Sequence, residues 1–334
     1  MRKVKKCLFL LLFLMGVTVI TVAFSYMVRP VDGANEEIRN RITGFYAEPE
    51  DSLDVVVLGS SAVYRYIHNP LLWEQEQITS YNFGTPGLNI FMLEYLLDEV
   101  EKTQSPEVYI IDARKFVLTE NADYKKNRFQ QLVNNLKYSK TRCEMIDRLI
   151  KNPIERIYYY FDIMIYHDNW ESLTWDSLEY ADNERVHPTK GWDVVTSIKE
   201  LDSVDRTEMD EEEPLSEVAE ETLISLLEKC QEKDLQVLFL ATPWKIGKTN
   251  QKQSNYMKGI VEQYGFDYLD LNRCADEIGM DYSKDFYNER HVNESGAVKV
   301  TKYVGEYLKE NYDFDLEKTD EVKASWNQAV ALWQ

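Results

Sequence analysis

The chain opens on Met-Arg-Lys-Val-Lys-Lys and then runs from Cys7 to Val28 without one charged position. A cleavable signal has an apolar core of roughly 7–15 residues, whereas about 20 are needed to cross the hydrocarbon layer. The run therefore reads as a transmembrane signal anchor at 7–28, with cleavage near Ala23-Phe-Ser25 as the alternative. Basic residues on its amino side predict a cytoplasmic tail at 1–6 and an extracytoplasmic remainder. Residues 29–52 are polar, as in a stalk or a first helix. Asp54–Leu58, Ile78–Asn82 and Glu107–Asp112 then read as strands, separated by helical patterns at Pro70–Gln77 and Leu88–Thr103. That alternation is the opening of an α/β domain with a parallel sheet.

The alternation lapses over 122–206, where Ile157-Tyr-Tyr-Tyr-Phe161, Trp170, Trp175, Tyr180 and Trp192 mark an aromatic-rich helical insertion or cap. Such aromatics form a private core or stack on sugar rings. The sheet pattern resumes with a helix at Leu215–Lys233, strands at Gln236–Ala241 and Phe266–Leu271, a helix at Gln251–Tyr264 between them, and a last helix at Ser295–Asn311. One α/β domain over 53–312 is expected, with 313–334 as a C-terminal tail.

Charge narrows the partners. The net charge is −20, yet residues 1–30 hold five Lys/Arg and no acids, so the remainder stands at −25. This disfavours nucleic acid and repels anionic polymers at long range. Cys143, Cys230 and Cys274 are an odd number after the anchor, with no metal-like spacing and no disulfide framework. The acidic run Glu208–Glu213 lacks the turn glycine and spaced ligands of a calcium loop. His68, His167 and His187 show no metal spacing either, and neither metal nor cofactor is expected.

Two stretches carry chemistry. The first strand ends at Gly59-Ser60-Ser61, where a hydroxyl can stand at the sheet's carboxyl edge above a helix amino end. Asn82-Phe-Gly84-Thr-Pro-Gly87 follows the second strand, where glycine lets backbone amides face a reacting oxygen. Near the far end stands Asp285-Phe-Tyr-Asn288-Glu-Arg-His291-Val-Asn293-Glu-Ser-Gly296-Ala297.

With these motifs the chain resembles the SGNH/GDSL hydrolase superfamily over roughly residues 50–312. The resemblance implies a three-layer, flavodoxin-like sandwich with Ser61 as nucleophile, His291 as base, and the Ser61 and Gly87 amides as oxyanion donors. Gly59, Ser60, Asn82, Gly84, Arg114 and Asn293 would support the site or the substrate. His291, Asn293, Gly296 and Ala297 match the His-x-Asn-x-x-Gly-Ala run of membrane-tethered members. Three departures stand out. Ser60 replaces the aspartate of Gly-Asp-Ser, Ile111-Asp-Ala-Arg114 replaces the third block Gly-x-Asn-Asp, and Asn288 fills the place of the triad acid. Asp285 is the expected substitute acid, with Asn288 as the alternative orienter.

The layout is similar to members acting beside membrane-bound O-acyltransferases, such as the teichoic-acid D-alanyl transfer and alginate O-acetylation proteins. It implies a serine esterase or O-acyltransferase working on a cell-surface polysaccharide or acylated polymer. A non-catalytic glycan-binding or scaffold protein is the competing expectation. A nucleotide-binding domain is disfavoured, since no Gly-x-Gly-x-x-Gly follows the first strand.

Overall fold

Four of the five strands in the central sheet are buried at every position, and three of them run almost wholly apolar in sequence. The four are β1 (Val55–Gly59), β2 (Ser80–Gly84), β3 (Val108–Asp112) and β4 (Val237–Ala241), joined by β5 (Asp267–Asp270). All pairs are parallel, in the order β2-β1-β3-β4-β5, so every carboxyl end opens on one edge. The computed structural model describes residues 2–29, 33–123, 125–173, 185–315 and 317–334.

Helix α1 (Arg2–Met27) is long and apolar enough to span a membrane, and α2 (Gly33–Tyr46) follows it. Crossovers and insertions supply α3 (Ser61–Tyr64), α4 (Asn69–Glu76), α5 (Leu93–Val100), α6 (Arg114–Val117), α7 (Lys126–Val133), α8 (Lys140–Leu149), α9 (Pro153–Tyr160) and α10 (Ile163–Tyr166). Helices α11 (Glu217–Glu232) and α12 (Lys248–Gln263) flank β4 in sequence. After β5 come α13 (Ala275–Ile278), the antiparallel hairpin β6 (Phe286–Asn288) and β7 (His291–Val292), α14 (Glu294–Asn311) and α15 (Asp320–Trp333).

Two cores sandwich the sheet. Val56, Leu58, Ile111 and Phe239 face one made with α2, α5, α7, α8, α11 and α12. Val55, Val57, Ile110 and Leu240 face the other, made with α3, α4 and α14. The alternation along each strand is the period-two geometry of a β-strand with both faces covered. The result is a three-layer α/β sandwich preceded by one apolar helix.

Three expectations need correction. Of the two readings of 29–52, stalk or first helix, the stalk fails over 33–46, which is helix α2: Ile38, Ile42 and Phe45 are buried against the sheet, and the Phe45 ring stacks on Phe83 at 4.3 Å. The 313–334 segment is no free tail, since α15 packs on α4 and buries Trp326 completely. The 122–206 insertion is only in part a cap, because Phe129, Leu132, Met145 and Ile146 join the sheet's own core. Its aromatics divide: Tyr159 and Trp192 are buried, Tyr158 and Trp170 are exposed, and Trp175 and Tyr180 lie outside the described residues.

The end of the insertion closes the β2 edge. The Asn82 N–H donates to the Lys190 carbonyl at 3.2 Å, so the edge strand gains a partner. A side chain at Gly191 would meet the Asn82 carbonyl at 2.5 Å, and its φ of +86° is left-handed. Lys190 then reaches Glu48 at 2.9 Å and Ser325 at 2.8 Å. That buried pair pins the end of α2 and α15 to one another; burial raises the Glu48 carboxyl and lowers the Lys190 amine from their ordinary values.

Because Trp326 is wholly buried, Trp326→Ala is expected to lower the unfolding free energy by about 3–5 kcal/mol in urea titration. A change below about 0.5 kcal/mol, the range of a surface substitution, would restore the free-tail reading.

Candidate active site

The β1 strand stops at Gly59 because nothing larger fits there. An added Cβ would meet the Asp112 Cβ at 2.4 Å, and one on Gly84 would meet the Gly59 carbonyl oxygen at 1.9 Å. These glycines let the ends of β1, β2 and β3 close up. Ser60 then N-caps α3, accepting from the Ala62 N–H at 3.2 Å. Its hydroxyl donates to Asp112 Oδ2 at 2.7 Å and its N–H reaches the same oxygen at 3.2 Å. Asp112 of β3 thus brings a carboxylate to the turn before Ser61.

This turn places Ser61 at the first position of α3, where its N–H has no intrahelical partner. Ser61 Oγ lies 2.8 Å from His291 Nε2, a residue 230 positions away. His291 Nδ1 lies 3.1 Å from Asn288 Oδ1. The direction of that amide is decided by a third group. Asn288 Oδ1 also accepts from the Arg290 N–H at 2.8 Å, so the atom facing the ring is an acceptor. Nδ1 must then carry the proton, and Nε2 is left with a lone pair toward Ser61. An amide held this way selects the tautomer that a general base needs.

Asp285 does not complete this line. Its carboxylate is taken by Ser295 Oγ at 2.8 Å, Lys299 Nζ at 2.6 Å and the Asp281 N–H at 2.7 Å. It is buried and stitches the 281–285 turn to the start of α14. The expectation that Asp285 meets the imidazole is therefore corrected: the short hairpin turns its side chain away and gives the place to Asn288.

The rest of the motif has local reasons. Asn293 caps α14 by accepting from the Gly296 N–H at 3.2 Å, and donates to the Lys284 carbonyl at 2.7 Å. A Cβ on Gly296 would meet the Asp285 carbonyl at 2.4 Å, and Ala297 is buried directly after it. Asn82 is buried under the site, donating to the Ile67 carbonyl at 2.8 Å. Gly87 stands in a left-handed turn at φ +65°, past the end of the strand next to β1, where an added Cβ would lie 3.9 Å from Arg128 Cγ.

Arg114 finds no carboxylate within ion-pair distance among the described residues. Its Nη1 donates to Tyr66 OH at 2.9 Å and Thr242 Oγ1 at 3.0 Å, and its Nη2 to the Arg290 carbonyl at 2.9 Å. Tyr66 OH also lies 2.7 Å from that carbonyl, and Thr242 Oγ1 donates to the Ala62 carbonyl at 2.7 Å. Arg114, Tyr66 and Thr242 thereby tie the hairpin of His291 to the helix of Ser61. Tyr287 stacks on the His291 ring at 5.6 Å, and Arg65, paired with Asp193 at 2.8 Å, lies over Tyr287. Neither Tyr66 nor Tyr287 has any spacing signal in the sequence; Thr242 had only its place at a strand end.

Burial, then the charges of Arg114, Arg65 and Arg290, pushes His291 down to about 3. The imidazole is neutral across the physiological range. The site therefore holds a hydroxyl against a neutral, correctly protonated base, with a free helix-terminal N–H beside it.

No family model matches the chain, and no curated protein matches it. Among solved structures it is similar to a protein from Desulfitobacterium hafniense DCB-2, described as lipolytic and of the G-D-S-L family. The two share 11% identity and a TM-score of 0.39, over 76% of this chain and 98% of that one.

Two substitutions separate the carboxylate roles. Asn288→Asp is expected to raise turnover at least about tenfold, ~1.4 kcal/mol of barrier, because a charge on Nδ1 stabilises the imidazolium. It should also move the acid limb of kcat/KM upward from about 3 toward the ordinary histidine value. Protonation of His291 removes the base, so the wild-type limb lies far below pH 6.5, the ordinary value from which the group is depressed. Asp285→Ala is expected to lower the melting temperature while the position of that limb stays put. A limb that shifts with Asp285 and not with Asn288 would reverse the assignment.

Proposed function

We propose that the chain is a membrane-tethered serine esterase or O-acyltransferase acting on acyl esters of a cell-surface glycan or polymer. The observation that carries the chemistry is the 2.8 Å contact between Ser61 Oγ and His291 Nε2, with the Nδ1 proton held by an amide oxygen. Ser61 Oγ attacks the ester carbonyl as Nε2 takes its proton, and the carbonyl electron pair moves onto oxygen. The Ser61 and Gly87 N–H groups are the proposed donors to that oxyanion. Collapse expels the alcohol, which leaves with the proton from Nε2. Water or a sugar hydroxyl then attacks the acyl-serine by the same steps in reverse.

The tether reading rests on α1, whose charge-free run follows the basic residues 2–6. Positive flanks stay in the cytoplasm, which puts the sandwich outside and its substrate among surface polymers. The net charge of −20 favours neutral glycans over anionic chains. A membrane-bound O-acyltransferase is the partner that would supply acyl groups to such a site. A second reading, a glycan-binding or scaffold protein without turnover, draws on one observation: the imidazole faces an amide where a charged acid would stabilise its cation.

The test is covalent. A fluorophosphonate probe is expected to label purified protein at Ser61, shown by peptide mass mapping, and labelling should vanish in Ser61→Ala and His291→Ala. Acyl release from an activated ester should fall at least about 1,000-fold in Ser61→Ala, ~4 kcal/mol of barrier. Folded protein that takes up no probe would favour the binding reading.

A further inference from the structure

The geometry points to a second membrane contact: we propose that α9, α10 and the turn after them sit in the anionic headgroup layer of the leaflet nearest the domain. This rests on the reading of α1 as a span. A hydrocarbon layer of about 30 Å takes roughly 20 helical residues at 1.5 Å each. Counted from Cys7, the first residue after the basic tail, those residues end at Tyr26. The domain begins before that point. Ser25 is fully buried, its Oγ accepting from the Ile163 N–H at 3.3 Å, and Tyr26 packs edge-on against Tyr138 at 5.5 Å. The Val28 carbonyl accepts from Asn169 at 2.9 Å. Arg29 Nε donates to the buried Asp162 at 2.6 Å, and Arg142 holds the other oxygen at 3.1 Å. The domain is thus fixed to the last turn of α1, at the depth where hydrocarbon gives way to headgroups.

What the domain carries at that depth is apolar and exposed. Ile154, Ile157 and Tyr158 are spaced three and four apart on one face of α9, with Ile154 70% exposed. Met164 on α10 is exposed, and Trp170 in the turn beyond it is 60% exposed. The opposite side of α9 is engaged: Tyr159 is buried and Arg156 pairs with Asp147 at 2.8 Å. Aromatic and aliphatic side chains in this setting are those of an interfacial helix.

Charge agrees. Residues 125–156 hold nine Lys/Arg against three Asp/Glu, within a chain whose net charge is −20. Lys140, Arg148 and Lys151 of this stretch are exposed, and Lys151 and Arg148 stand just ahead of Ile154. Basic residues near an anionic surface are drawn to it. A domain of net negative charge thus carries a locally basic stretch leading into α9, while 157–173 adds Asp162, Asp168 and Glu171 and no Lys/Arg.

The experiment uses the full chain in liposomes of phosphatidylcholine and phosphatidylglycerol. A trace of phosphatidylcholine carries a diazirine high on its acyl chain. After irradiation, adducts are expected on peptides covering 153–173 as well as on α1. Adducts on α1 alone would overturn the proposal and leave the span intact. Absence of adducts on α1 would overturn the span and this contact with it. In the double variant Ile154→Asp, Ile157→Asp, both exposed positions, labelling at Met164–Trp170 should fall at least about fivefold while α1 labelling holds. Labelling there that ignores both this variant and removal of phosphatidylglycerol would refute the interfacial contact.

Discussion

The Arg290 carbonyl is the junction on which the site depends. It receives Arg114 Nη2 at 2.9 Å and lies 2.7 Å from Tyr66 OH, two groups anchored near the carboxyl ends of β3 and β1. The next residue is His291, so whatever fixes this carbonyl fixes the imbalance between a loop's freedom and a base's precision. A histidine free to swing would spend little time at 2.8 Å from Ser61. The rest of the arrangement serves this junction. Thr242 ties β4 to α3, Asp285 and Asn293 set the start of α14, and the glycines at 59 and 84 allow the strand ends to meet.

The site also orients its imidazole with an amide and not a carboxylate. An asparagine beside a histidine can present either end of its amide, and the wrong end would leave Nε2 protonated and useless as a base. The Arg290 N–H settles the choice by occupying Asn288 Oδ1. What the amide does not supply is charge. Burial and the neighbouring arginines disfavour the imidazolium, which in the proposed reaction would make proton abstraction from Ser61 the harder half and proton return to the leaving oxygen the easier one. Asp112, the carboxylate closest to the nucleophile's turn, is committed to Ser60 and holds the backbone.

Anchor and domain are likewise one mechanical unit. The Arg29–Asp162–Arg142 network joins the end of α1 to α8 and α10 without a flexible stalk. Breaking one partner of such a buried cluster leaves an uncompensated charge, a cost of several kcal/mol, so the junction holds its geometry. A rigid junction sets the orientation of the sandwich relative to α1.

The order of strands, the apolar helix at the start and the positions of Ser61 and His291 were legible in the sequence. Each is a local pattern, set by burial on both faces of a strand, by length without charge, or by small residues that only a tight turn requires. Which side chain reaches the imidazole was not legible, because Asp285 and Asn288 are both near in sequence and only the direction of the short β6–β7 hairpin separates them. The roles of Tyr66, Thr242 and Arg114 were hidden for a related reason: their partners lie far away in sequence and their side chains carry no spacing. Stretches 29–52 and 313–334 misled through composition. Arg39, Arg41, Thr43 and Glu48 are buried despite their polarity, and with Ile38, Ile42, Phe45 and Trp326 they find partners that only the folded domain provides. Periodicity thus determined the layers, and long-range packing decided the site within them, since hydrogen bonds between distant side chains leave no pattern along the chain.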